Sequence, residues 1–355
     1  MEKLNILWTG EYEDRGYELF SKYGNVKMTE FPKNPRVGWL KDEKEIVDAL
    51  QGIDVYICGY EKITREILEQ CPDLKMILSV RDGAEENIDV KACEELGIPV
   101  LSSAGRCTTS VSELTLALML LCARPIITCT NTVREKGWTK ENNQDIRAIY
   151  SEFSSELFGK TVGIIGVGRN GYYVANLCKA FQMRVIAHDP FVDKEKMESE
   201  NIHMVELNDL MSQSDYVVVL SRLNPATEGM VGKEQIALMK PNASLINPGR
   251  GKLIDNDALF DALEAGKIRM AALDAHAVEP LGIDHRAMRI SPDKLILTPH
   301  MAGKTHERNW HQYQLLIKQF ESFLNGENMR YPYTPKVTEA KEYGKRGGAL
   351  HGILG

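Results

Sequence analysis

The sequence predicts an α/β protein with two doubly wound parallel sheets. Short apolar runs that suit strands alternate with helical stretches along almost all of the 355 residues, and this pattern is typical of parallel sheets covered by helices. The alternation occurs in two series, one before residue 110 and a more regular one that begins near Gly159. At about 100–200 residues per domain, the length also suits two domains.

The first series contains four strand candidates separated or followed by helical stretches. The strands are Leu4–Trp8, Asn25–Met28, Val55–Cys58 and Lys75–Ser79. The helices are Glu43–Leu50, Thr64–Gln70, Val90–Leu96 and Ser110–Ala123. A polar stretch, Asn131–Ser151, follows the last of these helices.

The second series contains six strand candidates, each a short and mostly apolar run of the kind found in buried parallel strands. They are Thr161–Ile165, Arg184–His188, Tyr216–Leu220, Ser244–Asn247, Met270–Asp274 and Leu295–Thr298. Six strands in doubly wound order is the size of a complete dinucleotide-binding domain. A long helix, His306–Leu324, comes next, and Tyr331–Gly355 is interpreted as a tail. Its basic part, Lys336–Arg346, is expected to be a solvated extension, with packing over the cleft or on a partner subunit as the alternative.

Charge and composition narrow the class of protein. The net charge is -7, whereas duplex nucleic-acid binders usually carry a basic surplus, so neither nucleic acid nor an anionic membrane is an expected partner. The longest apolar run, Leu114–Ala123, is too short for a membrane span of about 20 residues. The N-terminal residues lack a signal-peptide core, and the seven cysteines have no C-x-x-C spacing. We therefore expect a cytoplasmic protein.

A glycine-rich turn predicts the cofactor. Gly166, Gly168 and Gly171 form a G-x-G-x-x-G pattern between an apolar strand and a helix, where glycines allow a tight turn and close approach of a diphosphate to the helix N-terminus. The next strand ends at Asp189, whose carboxylate can accept hydrogen bonds from ribose hydroxyls and would repel a 2′-phosphate. The pattern therefore favours NAD over NADP. NADP stays open because Arg222, two residues after the strand Tyr216–Leu220, could reach a phosphate.

Three later strand ends carry residues suited to hydride transfer to a 2-oxo acid. Carboxyl ends of parallel strands share one edge of a sheet, so Arg250, Glu279 and His300 are expected near the glycine turn. His300 can donate a proton to the carbonyl oxygen or remove it in the reverse direction, and Glu279 can stabilise its imidazolium form. Arg250 offers a planar set of donors for the substrate carboxylate and carbonyl.

These motifs resemble those of the D-isomer-specific 2-hydroxyacid dehydrogenase family, over roughly residues 50–325. The resemblance rests on the following motifs: Gly166-x-Gly168-x-x-Gly171, Asp189, Asn247-x-x-Arg250-Gly251, Asp274-x-x-x-x-Glu279-Pro280 and Thr298-Pro299-His300-x-Ala302-Gly303. It implies that Arg250, Glu279 and His300 are catalytic and that Asp274 contacts the nicotinamide carboxamide. It also implies a small 2-oxo or D-2-hydroxy acid as substrate and NAD as cofactor.

The resemblance further implies a discontinuous architecture. We expect a Rossmann-like NAD-binding domain over 110–303, inserted into a flavodoxin-like substrate domain formed by 1–109 and 304–355. A segment at about 124–159 resembles the arm through which family members form homodimers. The candidate cofactor-binding residues are Gly166, Gly168, Arg169, Asn170, Gly171, Asp189, Ser221, Thr227, Pro248, Arg250, Asp274 and Gly303.

The substrate loop is a less regular match. Family members often carry a glycine-rich turn before Asp-Asn-Ile-Asp, and this chain has Asn87-Ile88-Asp89 preceded by Arg81, Asp82 and Gly83. We expect these three residues, with Arg250, to bind the substrate, and Phe31–Leu40 and Arg81–Glu86 to contribute to the pocket wall.

Other functions remain open. Some relatives of this family are NAD-sensing corepressors that retain the same catalytic residues, so the motifs do not separate an enzyme from a binding protein. Formate oxidation on a similar fold is disfavoured because Glu279 stands where that branch usually has Gln. His306 and His311 are five residues apart and lie on different faces of a helix, so no metal site is predicted. His276 and His285 flank Glu279 and are interpreted as solvated loop residues that could line the pocket.

Overall fold

A computed structural model describes residues 3–28, 40, 42–327, 333–334 and 347–350 of the protein. The chain forms two compact units. Unit 1 comprises Met1–Cys107 and Thr305–Gly355, and unit 2 comprises Thr108–Lys304. Unit 1 is therefore built from both ends of the chain, whereas unit 2 is one continuous segment. The predicted pocket segment Phe31–Leu40 lies outside the described residues, apart from Leu40.

The described residues form twelve strands and thirteen α-helices. The strands are β1 Leu4–Trp8, β2 Gly24–Met28, β3 Val55–Cys58, β4 Met76–Ser79, β5 Val100–Ser102, β6 Thr161–Ile165, β7 Arg184–His188, β8 His203–Met204, β9 Tyr216–Val219, β10 Ser244–Asn247, β11 Met270–Leu273 and β12 Leu295–Leu297. The helices are α1 Asp14–Ser21, α2 Glu43–Leu50, α3 Arg65–Gln70, α4 Val90–Leu96, α5 Thr108–Ala123, α6 Ile126–Lys136, α7 Asn143–Phe153, α8 Arg169–Ala180, α9 Lys194–Ser199, α10 Leu207–Gln213, α11 Lys233–Leu238, α12 Asn256–Glu264 and α13 Arg308–Leu324.

Unit 1 contains a five-stranded parallel sheet in the order β2-β1-β3-β4-β5. This is the order of flavodoxin-like folds. Successive residues of β1 point to opposite faces, so Leu7 packs in one apolar cluster with Ile46 of α2. Ile6 and Trp8 pack in the other cluster with Phe320 of α13. Helices therefore bury both faces of the sheet, as the near-continuous apolar strands require.

Unit 2 contains a seven-stranded parallel sheet in the order β12-β11-β10-β9-β6-β7-β8. This is the order of dinucleotide-binding folds with one additional strand, and the strand order reverses between β6 and β9. Adjacent residues of a strand again point to opposite faces of the sheet. Ile165 belongs to one apolar cluster and Ile164 to the other. The prediction of two doubly wound α/β domains is confirmed.

The structure differs from the predicted elements in several places. Two short strands, β5 and β8, were not predicted, because runs of three and two residues carry almost no periodic signal. The predicted strands ending at Leu220, Asp274 and Thr298 end one residue earlier, so these three residues begin loops at the sheet edge. The polar stretch Asn131–Ser151 contains helical residues of α6 and α7.

The predicted solvated extension Lys336–Arg346 lies outside the described residues, but the described parts of the tail on either side of it pack against unit 1. The Tyr333 N–H donates to the Val100 carbonyl, and the Val100 N–H donates to the Thr334 hydroxyl. Leu350 is fully buried. β5 is an edge strand, and its outer backbone groups need partners that these tail residues supply.

Among the described helices, no single one is long and apolar enough to cross a membrane. The bent pair α5 and α6 meets the length and composition criteria only when the two helices are taken together.

Candidate active site

The glycine turn after β6 is fixed by close backbone packing. Gly166 has φ +92°, and a Cβ atom there would lie 2.6 Å from the backbone nitrogen of Ser221. A Cβ atom on Gly171 would overlap the carbonyl oxygen of Gly166. Glycine is therefore required at both positions by the fold itself, and the backbone of Ser221 lies against the turn.

Gly168 has a different environment. It precedes α8, its φ of −66° is open to any residue, and a Cβ atom there would meet no protein atom within 4 Å. No side chain caps this end of the helix. Exposed N–H groups and the helix dipole attract anions at such an end. The space beside Gly168 therefore fits the diphosphate of a dinucleotide, and a side chain at 168 would intrude into it.

Asp189 follows β7 next to this turn. One carboxylate oxygen accepts a hydrogen bond from the Val167 N–H at 2.9 Å, and the other accepts one from the Phe191 N–H at 2.9 Å. Each oxygen of a carboxylate has two lone pairs, so the group retains capacity to accept hydrogen bonds from ribose hydroxyls. The geometry suits the predicted contact with the adenosine ribose.

The predicted catalytic segments follow three adjacent strands. β10 pairs with β11 through Asn247 and Leu273, and β11 pairs with β12 through Leu273 and Leu297. The segments that carry Arg250, Glu279 and His300 therefore leave the same edge of one sheet side by side.

His300 and Glu279 are joined by a hydrogen bond between their side chains. The Nδ1 atom of His300 lies 2.8 Å and 3.0 Å from the two carboxylate oxygens of Glu279. The side chains are 41% and 37% exposed, so the pair can be reached from solvent. Because Nδ1 faces the carboxylate, Nε2 is the ring nitrogen available for proton exchange with a ligand.

The charge state of Glu279 suits this pairing. Desolvation alone would raise the pKa of the Glu279 carboxyl, but hydrogen bonds from the His276 backbone N–H and the His300 ring, together with the charges of both histidines, outweigh it. The net effect is a pKa of Glu279 below its ordinary value of 4.5. Glu279 is therefore ionised at neutral pH and can stabilise a protonated His300.

Asp274 holds the turn that presents His300. Its carboxylate is fully buried and accepts hydrogen bonds from the Thr298 hydroxyl at 2.5 Å and from the Met301 and Ala302 N–H groups at 2.9 Å each. Its backbone carbonyl accepts one from the His300 N–H at 2.9 Å. His300 itself has φ +49°, an uncommon value for a residue other than glycine. Asp274 therefore stabilises a strained turn.

Arg250 is positioned by Asn247. The buried Asn247 amide donates to the Arg250 carbonyl at 3.0 Å and accepts from the Gly249 N–H at 3.1 Å, which fixes the loop after β10. The Arg250 side chain is exposed, and its Nη1 donates to the Gly249 carbonyl at 3.0 Å. Most of the guanidinium donors therefore lie at the surface of this edge, where an anion can approach.

The other predicted cofactor-binding residues lie at the same edge. Arg169 is the first residue of α8, Pro248 follows β10, and Gly303 lies in the loop after β12. The Asn170 side chain accepts a hydrogen bond from the Thr108 hydroxyl at 3.0 Å. Thr227 closes its own loop, since its hydroxyl donates to the Arg222 carbonyl at 2.7 Å.

The predicted substrate loop belongs to unit 1 and follows β4. Arg81 forms an ion pair with Glu86, and its guanidinium carbon lies 5.3 Å from the centroid of the Tyr60 ring. The Asp82 carboxylate accepts a hydrogen bond from the Gly105 N–H at 3.0 Å. Gly83 starts the short turn that contains Glu86. Arg81 is thus engaged by a carboxylate of its own loop.

Sequence reasoning missed the residues that support this site. Asn247 and Thr298 were recognised only as parts of motifs, and Gly251 only as the glycine after Arg250. His276 was interpreted as a solvated loop residue, but it is partly buried, and its Nε2 lies 2.9 Å from the Thr298 carbonyl. The motif spacing gave a signal for the first three residues, whereas nothing in the sequence indicates the bond made by His276.

The sheet order, the glycine turn and the histidine–carboxylate pair define a nicotinamide-dependent dehydrogenase fold. A family model described as the NAD binding domain of D-isomer specific 2-hydroxyacid dehydrogenases matches residues 116–302. D-3-phosphoglycerate dehydrogenase of Methanocaldococcus jannaschii is 37% identical over 91% of this chain, which spans 58% of that relative's length. Glyoxylate reductase of Thermococcus litoralis is 31% identical over 92% of this chain and 95% of that protein.

A solved structure is also similar to this chain. D-lactate dehydrogenase of Aquifex aeolicus, in complex with NAD and lactic acid, is 25% identical and superimposes with a TM-score of 0.66 over 91% of this chain and 96% of its own. The protein belongs to the D-isomer specific 2-hydroxyacid dehydrogenase family. The resemblance inferred from the motifs is therefore confirmed, and so is NAD as the cofactor.

Proposed function

We propose that the protein interconverts a small 2-oxo acid and the corresponding D-2-hydroxy acid with NAD. The observation that carries this proposal is the pairing of His300 Nδ1 with Glu279 at 2.8 Å, beside the sheet edge that carries the glycine turn. A proton donor of this kind is needed when a carbonyl is reduced, because charge develops on its oxygen. The names of the relatives, phosphoglycerate dehydrogenase and glyoxylate reductase, point to the same class of substrate.

When bound, the reduced nicotinamide supplies a hydride to C2 of the 2-oxo acid. His300 donates the proton from Nε2 to the carbonyl oxygen, and ionised Glu279 stabilises the imidazolium before transfer and orients the ring. The reverse direction uses neutral His300 as the base. Arg250 binds the substrate carboxylate and carbonyl through its planar donors. Arg81, Asp82 and Gly83 are the proposed substrate contacts from unit 1.

The residues proposed to hold NAD come from unit 2. The turn at Gly166, Gly168 and Gly171 would bind the diphosphate and Asp189 the adenosine ribose. A direct contact of Asp274 with the nicotinamide carboxamide would need an accessible carboxylate, whereas this one is fully buried, so Asp274 would act through the His300 turn that it holds. Asp189 supports NAD over NADP because a 2′-phosphate would meet its negative charge.

A homodimer through residues 124–159 is part of the proposal. α6 has no buried residue along its eleven positions, which is unusual for a helix of a folded domain. Ile126 is 51% exposed and Trp138 is 68% exposed in the same segment. Exposed apolar side chains gathered on one segment favour a protein interface.

To test the proposal, the protein is given a panel of 2-oxo acids, and their reduction is measured as the loss of reduced-nicotinamide absorbance. The panel contains glyoxylate, pyruvate, hydroxypyruvate, and branched and aromatic 2-oxo acids, each with NADH and with NADPH. We expect turnover with NADH and one substrate, and a loss of at least about a hundredfold in kcat for His300→Ala. His203→Ala is the matched control, because its ring pairs with Glu198 near the far edge strand β8.

Turnover that survives in His300→Ala would contradict the proposed role of His300. NADH binding without turnover of any acid would contradict the enzymatic proposal and favour the corepressor-like alternative.

A further inference from the structure

We infer that His276 is a positioning residue that ties the two halves of the His300–Glu279 pair together. The inference rests on the proposed function for its catalytic consequence, but its structural part can be tested separately. His276 lies three residues before Glu279 and has contacts with both segments of the pair.

The first contact is made by the His276 backbone. Its N–H donates to the Glu279 carboxylate at 2.9 Å, on the same oxygen that lies 3.0 Å from His300 Nδ1. Two donors therefore converge on one oxygen and fix its position. This bond depends on the backbone only, so every substitution at position 276 except proline keeps the donor.

The second contact is made by the His276 ring. Its Nε2 lies 2.9 Å from the Thr298 carbonyl oxygen, which can only accept, so Nε2 carries the proton. The same carbonyl also accepts the His300 N–H at 3.0 Å. The ring is therefore bonded to the first residue of the turn in which His300 adopts φ +49°.

These contacts make His276 a bridge between the loop after β11 and the turn after β12. A residue stays in a sparsely populated backbone conformation only when several surrounding bonds hold it there. Asp274 supplies some of those bonds, and His276 supplies one from the side where Glu279 lies. Without the ring bond, the turn would still form, but the distance between His300 and Glu279 would be less tightly fixed.

The expected consequence is a loss of turnover without a loss of cofactor binding. Small displacements of a proton-transfer group cost up to about a hundredfold in rate. The hydrogen bonds of His276 go to Glu279 and Thr298, not to Gly168 or Asp189, so NADH affinity should hold. This separates a positioning role from a general loss of structure.

The experiment compares His276→Phe, which keeps a ring without the donor, with His276→Gln, whose amide nitrogen can occupy the Nε2 position. His203→Phe is the matched control. We measure kcat with the best substrate of the panel, NADH affinity by fluorescence, and hydrogen exchange of a peptide covering 297–304. We expect His276→Phe to lose about ten- to a hundredfold in kcat, to keep its NADH Kd within about twofold, and to exchange faster in that peptide.

His276→Gln should recover kcat to within about threefold of the wild type and restore slow exchange. Wild-type kcat and exchange in His276→Phe would overturn the inference, and so would a Gln variant as impaired as the Phe variant. If the wild type reduces no 2-oxo acid, the proposed function fails. The positioning role is then decided by hydrogen exchange alone: faster exchange of the 297–304 peptide in His276→Phe supports it, and unchanged exchange overturns it.

Discussion

Gly251 and His276 are in direct backbone contact, because a Cβ atom placed on Gly251 would overlap the carbonyl carbon of His276. The contact joins the segment that carries Arg250 to the segment that carries Glu279. The loops that carry Arg250 and Glu279 can lie this close because residue 251 has no side chain, and this sets the separation between the two proposed catalytic residues.

We expect Gly251→Ala to push these two loops apart. Overpacking against a backbone typically costs about 1–3 kcal/mol in the free energy of unfolding, and kcat should fall by more than tenfold because Arg250 moves relative to Glu279. Urea unfolding and steady-state kinetics measure the two effects. Gly282→Ala is the control, since a Cβ atom there meets no atom within 4 Å. Equal stability of both variants would contradict the close approach.

Asp274→Asn should destabilise the protein and slow turnover. The buried carboxylate accepts three hydrogen bonds, and an amide would offer one oxygen while its NH2 group faces a donor. Loss of a charge-assisted hydrogen bond in a buried site costs about 1.5–3 kcal/mol. Chemical unfolding gives the stability, and Asp209→Asn on the exposed first turn of α10 is the control. A loss no larger than that of the control would argue against Asp274 as the support of the His300 turn.

The lowered pKa of Glu279 predicts an acid-dependent contribution to stability. A carboxyl group with a depressed pKa stabilises the folded state fully above its unfolded pKa, and this contribution is lost as the pH falls through the folded pKa. The part of the stability difference between wild type and Glu279→Gln that comes from the Glu279 charge should therefore shrink as the pH falls below about 4.5.

The same titration in a His300→Ala background supplies the control. His300 contributes a hydrogen bond and a charge to the lowered pKa of Glu279, so the pH-dependent difference should be smaller there. An equal pH dependence in both backgrounds would mean that the pairing does not set the ionisation of Glu279.

Gly168→Ala and Gly171→Ala should separate cofactor binding from folding. At position 168 the backbone is unstrained and the space is open within the protein, so stability should stay within about 0.5 kcal/mol. NADH affinity should fall by at least about tenfold, which corresponds to 1.4 kcal/mol. At position 171 the Cβ atom meets the Gly166 carbonyl, so unfolding should become easier. Calorimetry and fluorescence titration test this, and tight NADH binding by Gly168→Ala would place the diphosphate elsewhere.

The exposed apolar segment predicts the oligomeric state. Trp138→Glu should weaken association and shift the mass from dimer towards monomer in light scattering, because a charge would have to be buried at the interface. Ile283→Glu is the control, since Ile283 is 83% exposed and lies outside residues 124–159. A monomeric wild type would refute the proposed dimer.

The sequence predicted those parts of the site that follow from strand ends. Asp189, Glu279 and His300 come directly or shortly after apolar runs, and parallel strands end at one edge, so their gathering needed no knowledge of the loops. The supporting contacts could not be predicted in this way. The bond from His276 to Thr298 and the approach of Gly251 to His276 depend on loop paths that no periodicity records. β8, with two residues, was likewise too short to produce a pattern.

The position of α13 in unit 1 has a consequence for synthesis on the ribosome. Phe320 and Leu316 of this helix complete the same apolar cluster as Ile6 and Trp8, near the opposite end of the chain. Residues 108–304, by contrast, form a contiguous unit that emerges earlier. Because contacts distant in sequence must wait for the later segment, we expect the nucleotide-binding half to fold first while the N-terminal strands remain incomplete until translation passes residue 324.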